Sequence, residues 1–195
     1  MEIISLSTPP DEKKIRKLKV GEIVSLSGTI FCARDRIHKY YYDNIDKVNL
    51  PNLSDSVIYH CGPLVKKTKE GYNLISAGPT TSMRMSAYLP RIIEKYKIKA
   101  IIGKGGLDNS LLNEFNKFGC VYLSVIGGLG AVVSQKITKV ESVHFMEFGM
   151  PEAMWKLKVS DMQAIVTMDT HFNSLHEDIL RKSIANRERI VYGHI

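Results

Sequence analysis

Cysteine is scarce in this chain. Its three cysteines, Cys32, Cys61 and Cys120, are odd in number and far apart, with no CxxC and no Cys–His ligand spacing. That excludes a self-contained zinc site or iron–sulfur cluster and leaves three reduced, mostly buried thiols as the expectation. Long apolar runs are also missing; none approaches the ~20 residues of a bilayer-spanning helix. The N-terminus has no charged-then-apolar leader, so the expected location is cytoplasmic. Neither glycine cluster carries a nucleotide signature. Gly103-Lys104-Gly105-Gly106 lacks the GxxxxGK[ST] spacing and Gly127 to Gly130 is not GxGxxG, which removes NTP and NAD binding. Basic residues are in excess, with a net charge of +7, but they are scattered, and only Lys13 to Lys19 is dense. Tyr40-Tyr41-Tyr42 is not interleaved with basic residues as a base-stacking platform would be. No nucleic-acid role is expected; a solvated basic face, or a basic mouth for an acidic substrate, fits the charge.

What is present reads as a single domain over residues 1–195, a size that buries a sizeable core. The first part is mainly β. Ile3 to Leu6 and Ile23 to Cys32 read as strands, with a short charged helix from Asp11 to Leu18 between them. A helix follows from Ala33 through Tyr42, then a polar loop from Asn44 to Asp55 and a strand from Val57 to His60. Leu64-Val65 and Tyr72 to Ser76 read as a hairpin. After Gly78 helix and strand alternate: a stripe from Met85 to Tyr96, a strand at Ile98 to Ile102, and an Asp108-capped helix stopped by Gly119. Val121 to Ile126 is then a buried strand. Such alternation implies a small parallel sheet. Pro90 falls inside the helical stripe and is expected to kink or restart it. Val140 to Phe145, Met154 to Val159 and Ala164 to Met168 read as three further strands, and the tail after Asn173 as helix. Trp155 is assigned to the core.

The stretch Gly78-Pro79-Thr80-Thr81-Ser82-Met83-Arg84-Met85 leads from strand into helix and offers three hydroxyl residues as N-cap candidates. A helix start leaves backbone N–H groups free for an anion. Arg84, one turn in, carries a two-pronged donor that matches carboxylate or phosphate. Lys104 ends the next apolar run inside a glycine cluster that permits close backbone approach to a ligand. Each half alone reads as an ordinary capped helix or glycine turn with a surface cation; together they read as an anion site. Arg34 lies between a strand and a helix, where α/β folds place ligand groups, or else pairs with Asp35 or Asp11. His38 is either a ligand or acid–base group or, more commonly for a lone helical histidine, a surface or satisfied core residue.

Five separated motifs in order carry a family resemblance: Leu26-Ser27-Gly28-Thr29 with Arg34-Asp35 and His38; His60-Cys61-Gly62-Pro63; Gly78 to Met85; Gly103 to Gly106; and Glu147-Phe148-Gly149-Met150-Pro151-Glu152. Over about residues 3–180 the chain resembles the β subunit, or C-terminal domain, of class I fumarases and L(+)-tartrate dehydratases. The resemblance implies an α/β fold of the swivelling β/β/α type, a strand-rich core with flanking helices. The implied activity is that of a hydro-lyase interconverting fumarate and L-malate. The implied cofactor is a 4Fe–4S cluster held by the α subunit and not by this chain. An α subunit in an α2β2 heterotetramer is the implied partner, and a C4 dicarboxylate the implied substrate. Family substrate-binding positions fall on Arg34, Thr80, Arg84 and Lys104, with Thr80 and Lys104 also in catalytic roles. Thr80 matches the residue proposed as base for the carbon-bound proton. Tyr122-Leu123-Ser124-Val125-Ile126-Gly127-Gly128 resembles the fumarase version of that strand and turn, whereas tartrate enzymes tend to carry proline and cysteine there. The alternatives are a tartrate dehydratase β subunit and a non-catalytic anion-binding subunit.

Overall fold

The computed structural model describes residues 2–46, 51–69 and 71–193. In chain order the elements begin with β1 (Ile3–Ser7), α1 (Glu12–Ile15), β2 (Ile23–Cys32), α2 (Asp35–Asn44) and β3 (Val57–Tyr59). The hairpin β4 (Leu64–Thr68) and β5 (Gly71–Ser76) follows, then a 3-10 turn at Ser82–Met85, α3 (Leu89–Tyr96) and β6 (Ala100–Gly103). After another 3-10 turn at Asn109–Leu111 come α4 (Leu112–Phe118), β7 (Val121–Ser124), α5 (Gly130–Ser134), β8 (Ile137–His144), β9 (Met154–Met168) and α6 (Leu175–Tyr192). The loop expected from residue 44 to 55 falls partly outside the described residues. Among the described residues no helix is long and apolar enough to cross a membrane.

The core is a sheet in the order β1-β2-β3-β6-β7-β9-β8, and β2 also pairs with β9. That extra pairing closes β2, β3, β6, β7 and β9 into a ring. Within it β2, β3, β6 and β7 run parallel, while β9 is antiparallel to both β7 and β2. Alternation along the strands separates two cores. Ile30, Cys32, Val57, Tyr59, Ala100, Ile102, Val121 and Leu123 pack into one cluster with Trp155. Their neighbours Phe31, Ile58, Ile101 and Tyr122 pack into the other, with Ile37 and Tyr41 of α2, Ile92 and Ile93 of α3 and Phe115 of α4. Strands covered on both faces read as continuous apolar runs, which is why residues 57–59 and 100–102 do.

The strand-rich core with helices outside agrees with the sequence. Two details differ. The strands expected at Met154 to Val159 and Ala164 to Met168 are one strand, β9. Asp161 takes a left-handed φ of 52° and donates its N–H to Ser27 Oγ at 2.9 Å. Opposite it, the register shifts between Leu26 and Gly28. This bulge bends the strand without ending it. The helical stripe from Met85 is also broken: Met85 ends a 3-10 turn, and α3 starts separately with Pro90 in its first turn. Proline restarts the helix there because its missing N–H is an orphan at that position anyway.

Candidate active site

Parallel strands bring their C-terminal ends to one edge of a sheet, where α/β folds collect ligand groups. Here β2 runs out into Arg34, β3 into His60, and β6 into Lys104. Between β5 and α3, Pro79 bridges Cys61 and Thr81 bridges Lys104. Thr80 donates its N–H to the His60 carbonyl at 2.7 Å, Ser82 to the Lys104 carbonyl at 2.9 Å, and Lys104 to the Thr80 carbonyl at 3.3 Å. The Thr80 and Lys104 segments are thus laced together by backbone. Two of the N–H groups near this helix start are therefore already occupied. The helix is a single 3-10 turn, the Thr80 and Ser82 N–H groups are spent on neighbouring carbonyls, and Thr81 makes no side-chain cap.

Arg34 and Arg84, far apart in sequence, meet at Asp35. Arg84 grips it with both prongs, Nε to Oδ1 at 3.0 Å and Nη2 to Oδ2 at 2.9 Å. Arg34 holds Glu152 through Nη2 at 3.3 Å. Among the described residues its buried Nε has no hydrogen-bond partner, Asp35 Oδ2 being 4.0 Å away. A desolvated, unsatisfied guanidinium donor is costly to leave unpaired, by about 1–3 kcal/mol, and so favours an added acceptor. Gly62 makes room for this arginine: a Cβ there would lie 2.7 Å from Arg34 Cδ and 2.6 Å from the Pro151 carbonyl. Residues 34, 60–63 and 147–152, separate motifs in the sequence, therefore close on one another. Lys104 extends along the Gly127 turn, whose added Cβ would sit 3.3 Å from its Cδ. Among the described residues its ammonium makes no ion pair, unlike the two arginines. Of the two acids offered to Arg34 in the sequence, Asp35 is the one beside it; the Arg84–Asp35 and Arg34–Glu152 pairs went unread, because an acidic residue beside an arginine gives no hint of which distant arginine it will take.

A family model described as the fumarase C-terminus matches residues 1–179. The chain belongs to that family. A protein of Geobacillus stearothermophilus, provisionally named fumarate hydratase class I, is 45% identical over 183 residues, 93% of this chain and 35% of its own length. A protein of Methanocaldococcus jannaschii, provisionally named L(+)-tartrate dehydratase subunit beta, is 42% identical over 175 residues, 88% of this chain and 90% of its own. The L(+)-tartrate dehydratase subunit beta of Escherichia coli K12 is 31% identical over 188 residues, 95% and 92% of the two chains. The chain thus spans about a third of the Geobacillus relative and nearly all of the two subunits.

In this member of the fumarase C-terminus family the thiols lie below the site, in the core. Cys32, Cys61 and Cys120 are free and buried. Burial pushes the Cys32 and Cys120 thiols up, and the neighbouring Cys61 raises Cys32 further. Protonated, enclosed thiols do not fit cluster ligation. Among the described residues no group of three or more His, Cys, Asp or Glu is placed to hold a metal ion.

Two histidines beneath the arginines complete the setting. His38 and His60 are buried edge to face, with ring centroids 4.8 Å apart. Burial lowers His38 to about 4, against small opposing effects from the Arg34 carbonyl and Asp35. Burial, His38 and Arg84 together hold His60 well below the ordinary imidazole range. A depressed histidine leaves stability intact above the unfolded pKa near 6.5; below it the unfolded chain takes up protons that the folded chain refuses. Unfolding free energy is therefore expected to fall on acidification from pH 6.5 toward 4, by about 1.4 kcal/mol per pH unit for each histidine. Urea titrations at pH 7.5, 6.5 and 5.5 measure it, and His38→Gln should flatten the slope by one histidine's share. A flat profile in the parent chain would contradict the burial argument.

Proposed function

We propose that this chain is the β-type subunit of an iron–sulfur hydro-lyase that interconverts fumarate and L-malate, a swivelling β/β/α domain supplying substrate-binding and acid–base residues. The observation that supports it most is the Arg34–Asp35–Arg84 junction. Two guanidiniums already bracket a carboxylate there, at the same strand-end edge as Thr80 and Lys104. In this reading a substrate carboxylate joins or displaces Asp35, and Arg34 Nε gains its acceptor. Lys104 neutralises charge that builds up next to the second carboxylate as water adds across the double bond. Thr80 passes the proton at the carbon that does not receive hydroxyl; its hydroxyl is a weak base, and this role requires nearby positive charge to make it a stronger acid.

The buried thiols of this chain do not fit the implied 4Fe–4S cluster, so in this reading the cluster belongs to an α subunit, with the two chains forming an α2β2 assembly in the cytoplasm. The surface beside Lys104 suits such a partner. Ile126, Leu129 and Val132 are 66%, 41% and 52% exposed and line a groove of about 210 Å³ with Val125, Val133 and Met162. A contiguous exposed apolar patch of this kind marks an interaction surface.

Relatives carry both fumarate hydratase and tartrate dehydratase names, and a tartrate dehydratase β subunit is the second reading. The fumarase-like run from Tyr122 to Gly128 favours the first. Anaerobic reconstitution with the α subunit, assayed on fumarate, L-malate and the tartrates, tests both. The expected result is turnover of fumarate and malate only with both chains present. Preference for L(+)-tartrate would select the second reading. Turnover of none would leave the non-catalytic anion-binding subunit.

A further inference from the structure

Below the candidate site a line of buried polar side chains has its proton order dictated by one end. His38 Nδ1 lies 2.9 Å from the Arg34 carbonyl. A carbonyl only accepts, so this nitrogen carries the proton and neutral His38 presents a bare Nε2. That nitrogen faces His60 Nε2 at 3.3 Å, so His60 donates there. The other nitrogen of His60, Nδ1, is then bare and accepts from Ser82 Oγ at 2.8 Å. Ser82 in turn accepts from the Tyr122 hydroxyl at 2.8 Å. His38, His60 and Ser82 are 1%, 0% and 0% exposed, and Tyr122 is also buried. Each bond fixes the next, running from Tyr122 to the Arg34 carbonyl. The charged groups around it are Asp35 facing His38 and Arg84 facing His60.

Three of its four members also secure a segment of the site, and Tyr122 anchors Ser82. His38 holds the Arg34 carbonyl, the His60 carbonyl takes the Thr80 N–H, and the Ser82 N–H is given to the Lys104 carbonyl. We propose that His38, His60, Ser82 and Tyr122 are positioning residues, a one-directional buried hydrogen-bond chain that fixes Arg34, Thr80 and Lys104 relative to one another. The role in turnover rests on the hydro-lyase reading; the chain's direction does not. The chain holds and does not conduct. A proton wire needs an exit group, and a peptide carbonyl cannot pass a proton on.

The test labels histidine in this chain with nitrogen-15, in the assembled enzyme, and reads tautomers from long-range proton–nitrogen correlations. The expected spectrum has His38 protonated at Nδ1, His60 at Nε2, and both neutral from pH 8 to 5.5. The opposite tautomer at either residue, or a charged imidazole at pH 7, overturns the chain. Kinetics test the positioning role. Tyr122→Phe removes one hydroxyl and keeps the ring, and is expected to lower kcat/KM about tenfold, roughly one buried hydrogen bond. Ser82→Ala should cost more, because two bonds go. Both should leave the shape of the pH–rate profile unchanged. Tyr122→Phe within twofold of the parent overturns positioning, and a displaced profile overturns it in favour of proton transfer. If the parent enzyme hydrates none of the diacids, the functional reading fails while the tautomers still decide the chain.

Discussion

Thr80→Val is expected to lower kcat at least a hundredfold with little change in KM. Valine keeps the shape of threonine and removes only the hydroxyl. The backbone of residue 80 stays tied to His60 and Lys104, so the fold at this point does not depend on the side chain. A well-placed acid–base group contributes ~10²–10⁴-fold, and loss of a group used only in the transition state falls on kcat. Thr80→Ser keeps the hydroxyl and should keep much of the activity. Thr81 is the internal control. It is exposed and caps nothing, so Thr81→Ala should stay within about 0.5 kcal/mol in stability, as ordinary surface changes do, and leave turnover intact. Steady-state kinetics in both directions on the reconstituted pair, with cluster content checked, is the measurement. Near-normal kcat in Thr80→Val would move the base to the α subunit; loss in Thr81→Ala alone would mean that the two threonines have been exchanged.

The placing of Thr80 beside Lys104 was half legible in the sequence. A strand ending in Gly103 and a turn after Gly78 can each be read from local composition. That Thr81 bridges Lys104 depends on the parallel pairing of β3 with β6, a non-local fact with no period of its own. The strands themselves were readable because alternation survives in β2 and apolar runs mark β3, β6 and β7. Closure of the ring was not. It is made by β9, whose inward Val159 and Met162 are separated by Ser160 and Asp161; that polar pair reads as a break until Asp161 is seen at positive φ. Arg34 and Arg84 were singled out as cations, yet nothing in either neighbourhood says that they share Asp35. His38 and His60 look like isolated histidines. Only the register that sets β3 beside the start of α2 brings them together, and there His38 has the burial and the hydrogen bonds of a satisfied core histidine. Ser82 was read as a capping candidate when it points inward instead, to His60 and Tyr122. Hydroxyl residues at a helix start serve either purpose, and burial decides which.

Gly103→Ala is expected to cost about 3 kcal/mol or more of stability, for a reason unrelated to backbone strain. Gly103 is not among the glycines with positive φ. Its Cβ would fall on the Ser82 hydroxyl, 2.9 Å from the Tyr122 oxygen and 3.3 Å from Ser82 Cβ. Strain from overfilling a packed interior is about 1–3 kcal/mol. If Ser82 moves aside, His60 Nδ1 and the Tyr122 hydroxyl lose their partner inside the core, at about 1–3 kcal/mol for a buried group left unsatisfied. The glycine that reads in the sequence as freedom for a ligand turn is, on this account, space reserved for a hydroxyl. A double-mutant cycle separates the two. Ser82→Ala deletes the obstructing oxygen and leaves the 2.9 Å approach to the Tyr122 oxygen, now released from Ser82, and the 3.3 Å approach to Cβ, which shifts of a few tenths of an ångström relieve. In that background Gly103→Ala should cost about 1 kcal/mol, a coupling of about 2 kcal/mol between residues in contact. Chemical denaturation of the four proteins, with equal m-values as the check on two-state behaviour, measures it. Additive costs would show that the glycine is required for something other than the Ser82 hydroxyl, and would detach Gly103 from the buried chain.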